Sequence, residues 1–193
     1  MDSIAVFCGS STGNDSSVVK TAFKLGEILA SQQIQLVYGG AKVGLMGQVA
    51  DGALGKNGKV IGVIPDFLKC KEVFHPQITE LIVVETMHQR KVKMHELSDG
   101  FIALPGGYGT LEELFEIITW GQLGLHQKPI GILNCNNFFD SMLQFLDTMV
   151  TQGFLKQENR EMLLVHTTAE GLLEQMRNYT PVMTPKWIEK EQT

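Results

Sequence analysis

The feature that most constrains this chain is a regular alternation of short apolar runs with longer segments of helical period. The apolar runs fall at Ile4–Cys8, Gln35–Tyr38, Lys59–Ile64, Leu81–Glu85, Gly100–Leu104, Pro129–Leu133 and Leu163–His166. Two of them, Ile4-Ala5-Val6-Phe7 and Val60-Ile61-Gly62-Val63-Ile64, are apolar nearly throughout, as expected of strands covered on both faces. Between the runs, helices are expected near Ser17–Gln32, Leu45–Asn57, Met87–Ser98, Leu111–Gly121, Phe138–Thr151 and Thr168–Asn178. Strands that alternate with helices need right-handed crossovers, so the chain is predicted to be α/β, with a doubly wound, mainly parallel sheet. At 193 residues, without repeat or linker, it fits one domain over residues 1–180, with residues 181–193 as a surface tail.

Ligands of such sheets sit beyond the carboxyl ends of the strands, which directs attention to the strand-to-helix turns. Three of these are unusual. Phe7-Cys8-Gly9-Ser10-Ser11-Thr12-Gly13 is either an anion cradle or a tight turn with a helix cap. Tyr38-Gly39-Gly40-Ala41-Lys42-Val43-Gly44-Leu45-Met46-Gly47 is glycine-dense enough to imply close approach of its backbone to a ligand or another chain segment. The third, Pro105-Gly106-Gly107-Tyr108-Gly109-Thr110-Leu111-Glu112-Glu113, is the most informative. It follows an apolar strand and opens a helix, so unobstructed amides converge where a phosphate is best received. It lacks the third glycine of a dinucleotide fingerprint, and Gly58-Lys59 is followed by Val60 where a Walker loop needs a hydroxyl.

The charges beside this turn have two readings. Thr110 and Glu113 have the spacing of a capping box, which would explain Glu113 without chemistry. Thr86 and Gln89 repeat that spacing ahead of Arg90 and Lys91, two adjacent cations early in a helix, where they oppose its dipole. Either both extend into water, or a bound anion or Glu113 offsets them. Arginine suits phosphate because its planar fork engages two oxygens.

Several classes are disfavoured. A net charge of −5 provides no basic face for a nucleic-acid polymer. No apolar run reaches the roughly 18 residues that span a bilayer, and the Met-Asp-Ser-Ile start is unlike a signal peptide. Cys8, Cys70 and Cys135 are an odd set without paired spacing, so a cytoplasmic location is expected. His95-Glu96 has Asp99 where a zinc motif needs its second histidine, and no lysine is marked for a pyridoxal Schiff base.

Met87-His88-Gln89-Arg90-Lys91, followed by Pro105 to Glu113, closely resembles the LOG ("lonely guy") family of cytokinin riboside 5′-monophosphate phosphoribohydrolases, long mislabelled as lysine decarboxylases. The resemblance runs in order from Phe7-Cys8-Gly9-Ser10-Ser11 through Gly39-Gly40 and Gly44-Leu45-Met46-Gly47 to Thr119-Trp120 and Lys128-Pro129, about two-thirds of the chain. It implies a Rossmann-like fold and a homodimer or higher homo-oligomer with residues of both subunits near the pocket. It implies Arg90 and Glu113 as the catalytic pair. Glu72, Lys91, Gly106, Gly107, Tyr108, Gly109, Thr110, Leu111, Glu112 and Thr119 are implied as the substrate-binding set, while Cys70–Glu85 matches the family poorly. The implied reaction hydrolyses the N-glycosidic bond of a purine nucleoside 5′-monophosphate, without metal or redox cofactor. A general AMP nucleosidase and a non-catalytic nucleotide or molybdenum-cofactor carrier are the alternatives.

Overall fold

The computed structural model describes residues 1–69 and 74–181. Seven strands form one all-parallel sheet: β1 (Ser3–Phe7), β2 (Gln35–Tyr38), β3 (Val60–Pro65), β4 (Glu80–Val84), β5 (Gly100–Ala103), β6 (Ile130–Leu133) and β7 (Leu163–His166). Their order across the sheet is β4-β3-β2-β1-β5-β6-β7. Every expected strand is present within two residues. The helices are α1 (Ser16–Ser31), α2 (Gly44–Leu54), α3 (Asp66–Lys69), α4 (Met87–Glu96), α5 (Tyr108–Gln122), α6 (Asp140–Thr151), α7 (Gln157–Arg160) and α8 (Ala169–Arg177), with a 3-10 turn at Cys135–Asn137. The one-turn helices α3 and α7 are too short to show a period in the sequence.

Alternation along β1 displays the doubly wound logic. Ile4 and Val6 enter one core layer with Leu25 and Leu29 of α1, Val49 of α2 and Leu172 of α8. Ala5 and Phe7 enter the other with Met94 of α4, Leu114 and Ile117 of α5 and Leu146 of α6. With both faces covered, every residue of β1, β3, β5 and β6 is buried. Helices α1 and α2 meet backbone to backbone, since a Cβ on Gly52 would stand 2.0 Å from the carbonyl oxygen of Phe23. Among the described residues no helix is long and apolar enough to cross a membrane.

The chain runs from β1 outward through β2, β3 and β4, then returns to the other side of β1 to lay down β5. At this reversal the helices that follow β1 and β5 pack on opposite faces of the sheet, the place where doubly wound sheets bind ligands. The glycine turn after β5 lies at that place.

Candidate active site

Helix α5 starts at Tyr108, three residues earlier than its sequence period suggests, with Gly107 as an extended N-cap at φ −95° and no side-chain cap. The expected Thr110–Glu113 capping box is therefore not formed: Thr110 lies inside the first turn and is buried. Glycines at 107 and 109 blurred the start, because glycine carries no apolar signal. The other capping box forms as expected, with Gln89 N donating to Thr86 Oγ1 (3.1 Å) and Thr86 N to Gln89 Oε1 (3.3 Å).

Around the start of α5 lies a cleft of about 280 Å³, lined by the turn after β1, Gly39 after β2, α4 and the first turns of α5. It brings together Arg90, Gly107, Tyr108, Gly109, Thr110, Glu112 and Glu113 of the expected set. Its glycines do two jobs. A Cβ on Gly106 would fall 2.1 Å from Thr110 Oγ1 and 2.9 Å from the amide of Gly9, so that glycine lets the turns after β1 and β5 touch. At Gly107 and Gly109 an added Cβ would meet nothing within 4 Å. Neither packing nor an unusual backbone angle requires those two glycines. They leave the amides at a helix entrance bare toward the cleft, as an anion site needs.

Arg90 and Glu113 face each other across the cleft, Nη2 to Oε1 at 3.8 Å, with only 10% and 12% of their side chains exposed. The reading that Arg90 and Lys91 extend into water is thus overturned for both, because both side chains are buried. Burial raises the carboxyl pKa of Glu113, against which the charge of Arg90 pulls it down. Among the described residues the Arg90 guanidinium makes no short contact: beyond Glu113 it has only Met87 Sδ at 3.9 Å, and its Nε is buried without a partner. Cys8 lies at the cleft floor, where burial and the charge of Glu113 push its thiol well above the usual range, so it is neutral there.

The remaining expected residues are elsewhere. Lys91 is nine-tenths buried and turned to the side of α5, donating to Glu112 Oε1 (2.5 Å) and Glu116 Oε1 (2.9 Å). Leu111 packs against the core layer under α4 and α5. Thr119 is exposed and donates to the carbonyl of Phe115 (2.7 Å). None of these three lines the cleft. Gly106 lies just behind it, against a neighbouring cleft of about 370 Å³ beneath the turn after β1. Glu72 falls outside the described residues. In the turn after β1, Asp15 caps α1 through Ser17 N (2.9 Å), which is the structural reading of that turn, although Ser10 lines the cleft.

Met46 and Met87 line the cleft without having been given a role, since apolar side chains carry no spacing signal, while Cys8 and Ser10 belong to the turn after β1 read as a possible anion cradle. Gly39 was legible only as a point of close approach. The segment it approaches is Arg90: a Cβ there would lie 2.2 Å from Nη2. His95, which began a broken zinc pattern, is stacked on Phe101 and edge-on to Trp120, and no metal-binding cluster occurs among the described residues.

A family model described as "Possible lysine decarboxylase" matches residues 46–176. Cytokinin riboside 5′-monophosphate phosphoribohydrolase LOG1 of Arabidopsis thaliana is 46% identical over 178 residues, covering 92% of this chain and 84% of the relative. LOG3 of the same plant is 47% identical over 178 residues, covering 92% and 83%. The probable cytokinin riboside 5′-monophosphate phosphoribohydrolase LOGL9 of Oryza sativa subsp. japonica is 45% identical over 179 residues, covering 93% and 79%. Among solved structures, the molybdenum cofactor binding protein of Rippkaea orientalis shares the fold, with a TM-score of 0.69 at 23% identity, over 91% of this chain and 95% of that one. With close to half its residues shared over nearly its full length, this chain belongs to the LOG family, the cytokinin riboside 5′-monophosphate phosphoribohydrolases.

Proposed function

We propose that the chain hydrolyses the N-glycosidic bond of purine riboside 5′-monophosphates, cytokinin ribotides among them, releasing free base and ribose 5-phosphate. The observation that carries this reading is the pairing of bare amides at Gly107–Thr110 with the buried Arg90–Glu113 pair in one cleft. The relatives named above supply the substrate class. The amides and the dipole of α5 would receive the 5′-phosphate, fixing the ribose so that C1′ faces Glu113.

As the bond between C1′ and the base nitrogen breaks, the electron pair leaves with the base and positive charge grows on the sugar. The Glu113 carboxylate stabilises that charge and takes a proton from the attacking water, whose oxygen bonds to C1′ while the base nitrogen acquires a proton. Arg90 favours the ionised carboxylate against the cost of burial and orients it. A pure carrier has no use for such a pair. Among the described residues lining the cleft there is no lysine, which a pyridoxal-dependent decarboxylase requires.

The protein would act on free nucleotide, in the cytoplasm, as a homodimer or larger assembly. Two free, buried cysteines suit a reducing compartment. Tyr108 at 93% exposure, with Met87 and Phe115 also exposed, makes the cleft mouth an apolar surface suited to a second copy. Chromatographic base release from AMP and from N6-isopentenyl-AMP tests the reaction. Release from either supports it, a higher kcat/KM for the isopentenyl compound supports the cytokinin substrate, equal values favour a general AMP nucleosidase, and tight binding without release favours a carrier.

A further inference from the structure

Arg90 is held in place by shape rather than by a strong bond. Its nearest carboxylate oxygen is 3.8 Å away, its sulfur contact is 3.9 Å, and its Nε has no partner. What fixes the guanidinium is the seat under it, the bare backbone of Gly39, where even a methyl group would overlap Nη2. The position of the Gly39–Gly40 turn therefore sets the position of Arg90.

That turn is itself fastened from outside the cleft. The backbone N–H of His75 donates to the carbonyl of Gly40 (3.0 Å), and Ala41 and Phe74 form an isolated antiparallel bridge beside it. The His75 ring is wholly buried, with Nε2 2.9 Å from Asp51 Oδ1 on α2. Its Nδ1 accepts the N–H of Gln77 (3.3 Å), so the proton sits on Nε2 and is donated to Asp51. A buried imidazole with both nitrogens engaged, and its own amide on the turn, is a rivet between α2 and the seat of Arg90. Gly40, at φ +82°, turns its carbonyl toward that rivet in a conformation few other residues adopt.

We propose that His75, anchored by Asp51, is a positioning residue for Arg90: it holds the Gly39–Gly40 turn so that the guanidinium stays opposite Glu113. This rests on the proposed hydrolase reading and adds to it a determinant outside the cleft. Because the phosphate amides belong to α5, which does not touch the rivet, loss of His75 should act on turnover and not on substrate capture.

The test is a double-mutant cycle with base release from AMP or N6-isopentenyl-AMP. His75→Ala is expected to lower kcat about tenfold with KM within about twofold. His75→Gln, whose amide reaches Asp51 as Nε2 does, should restore most of the rate. In an Arg90→Ala background His75→Ala should change the rate less than about twofold, because the residue it positions is gone. An equal tenfold loss in both backgrounds, a loss confined to KM, or no rescue by a folded His75→Gln would overturn the proposal. Amide hydrogen exchange at position 75, whose N–H the Gly40 carbonyl accepts, reads the same rivet without substrate: protection falls in His75→Ala and returns in His75→Gln. Should the wild type release no base from any nucleotide, the hydrolase reading falls. Unchanged exchange in His75→Ala would sink the rivet by itself.

Discussion

Replacing Glu113 by glutamine separates what the fold wants from what the reaction wants. Arg90 attracts the carboxylate across 3.8 Å, worth about 4 kcal/mol at an effective dielectric of roughly 20. Burial works against it and is the larger influence, so the pKa of Glu113 is raised above its ordinary value of 4.5 despite the arginine. An acid with a raised folded pKa is harder to ionise in the native state than in the unfolded chain. Its contribution is therefore favourable below the unfolded value, and stability is lost as pH rises through the unfolded and then the folded pKa. That balance already contains the attraction of Arg90, so a neutral isostere should stabilise the protein at pH 7 and raise its Tm. The gain should shrink toward zero below pH 4.5, where wild-type Glu113 is protonated in both states. Turnover should fall at least about 100-fold at the same time. Calorimetry at pH 7 and pH 4, beside a base-release assay, measures both effects. A variant destabilised at pH 7 by the roughly 3–5 kcal/mol of a broken buried ion pair would refute the electrostatic reasoning, and a near-normal rate would remove Glu113 from the mechanism.

Other outcomes follow from the same geometry. Arg90→Ala should fold, lose at least about 100-fold in kcat, and leave KM within a few-fold, as steady-state rates would reveal. Gly107→Ala and Gly109→Ala meet open space, so Tm should hold or rise slightly at 109 and fall slightly at the N-cap 107, while KM climbs about tenfold in both; an unchanged KM would mean the phosphate binds elsewhere. Lys91→Met leaves the carboxylate of Glu116 without its cation, with Oε2 already unpartnered, and should cost about 1–3 kcal/mol in denaturant unfolding. With the charge of Glu112 at the cleft no longer balanced, KM should rise more than kcat falls.

The strands were legible because buried parallel strands must be apolar on both faces, as β1, β3, β5 and β6 are, and because the seven short runs leave room for helices between them. Helix starts were less so: α5 begins on glycines, which carry no amphipathic signal, and this misdirected the capping assignment of Thr110. The turn holding the amides could be read from spacing alone, since three glycines at a helix entrance imply an anion. The pairing of Arg90 with Glu113 across 23 positions could not, and came from motif resemblance. Spacing carries nothing at all about His75 meeting Asp51, because the two lie 24 positions apart and meet only through tertiary packing. Lys91 stands beside Arg90 in the motif, while the helix turns its side chain about 100° away, toward Glu112 and Glu116, which spacing does not reveal.

The most direct test of the central claim is a crystal structure of Glu113→Gln with AMP or N6-isopentenyl-AMP bound. The account predicts the phosphate oxygens within hydrogen-bond reach of the amides at Tyr108–Thr110, and C1′ about 3–4 Å from the side chain at position 113. A nucleotide bound with its phosphate away from the start of α5, or with C1′ turned from that side chain, would contradict it.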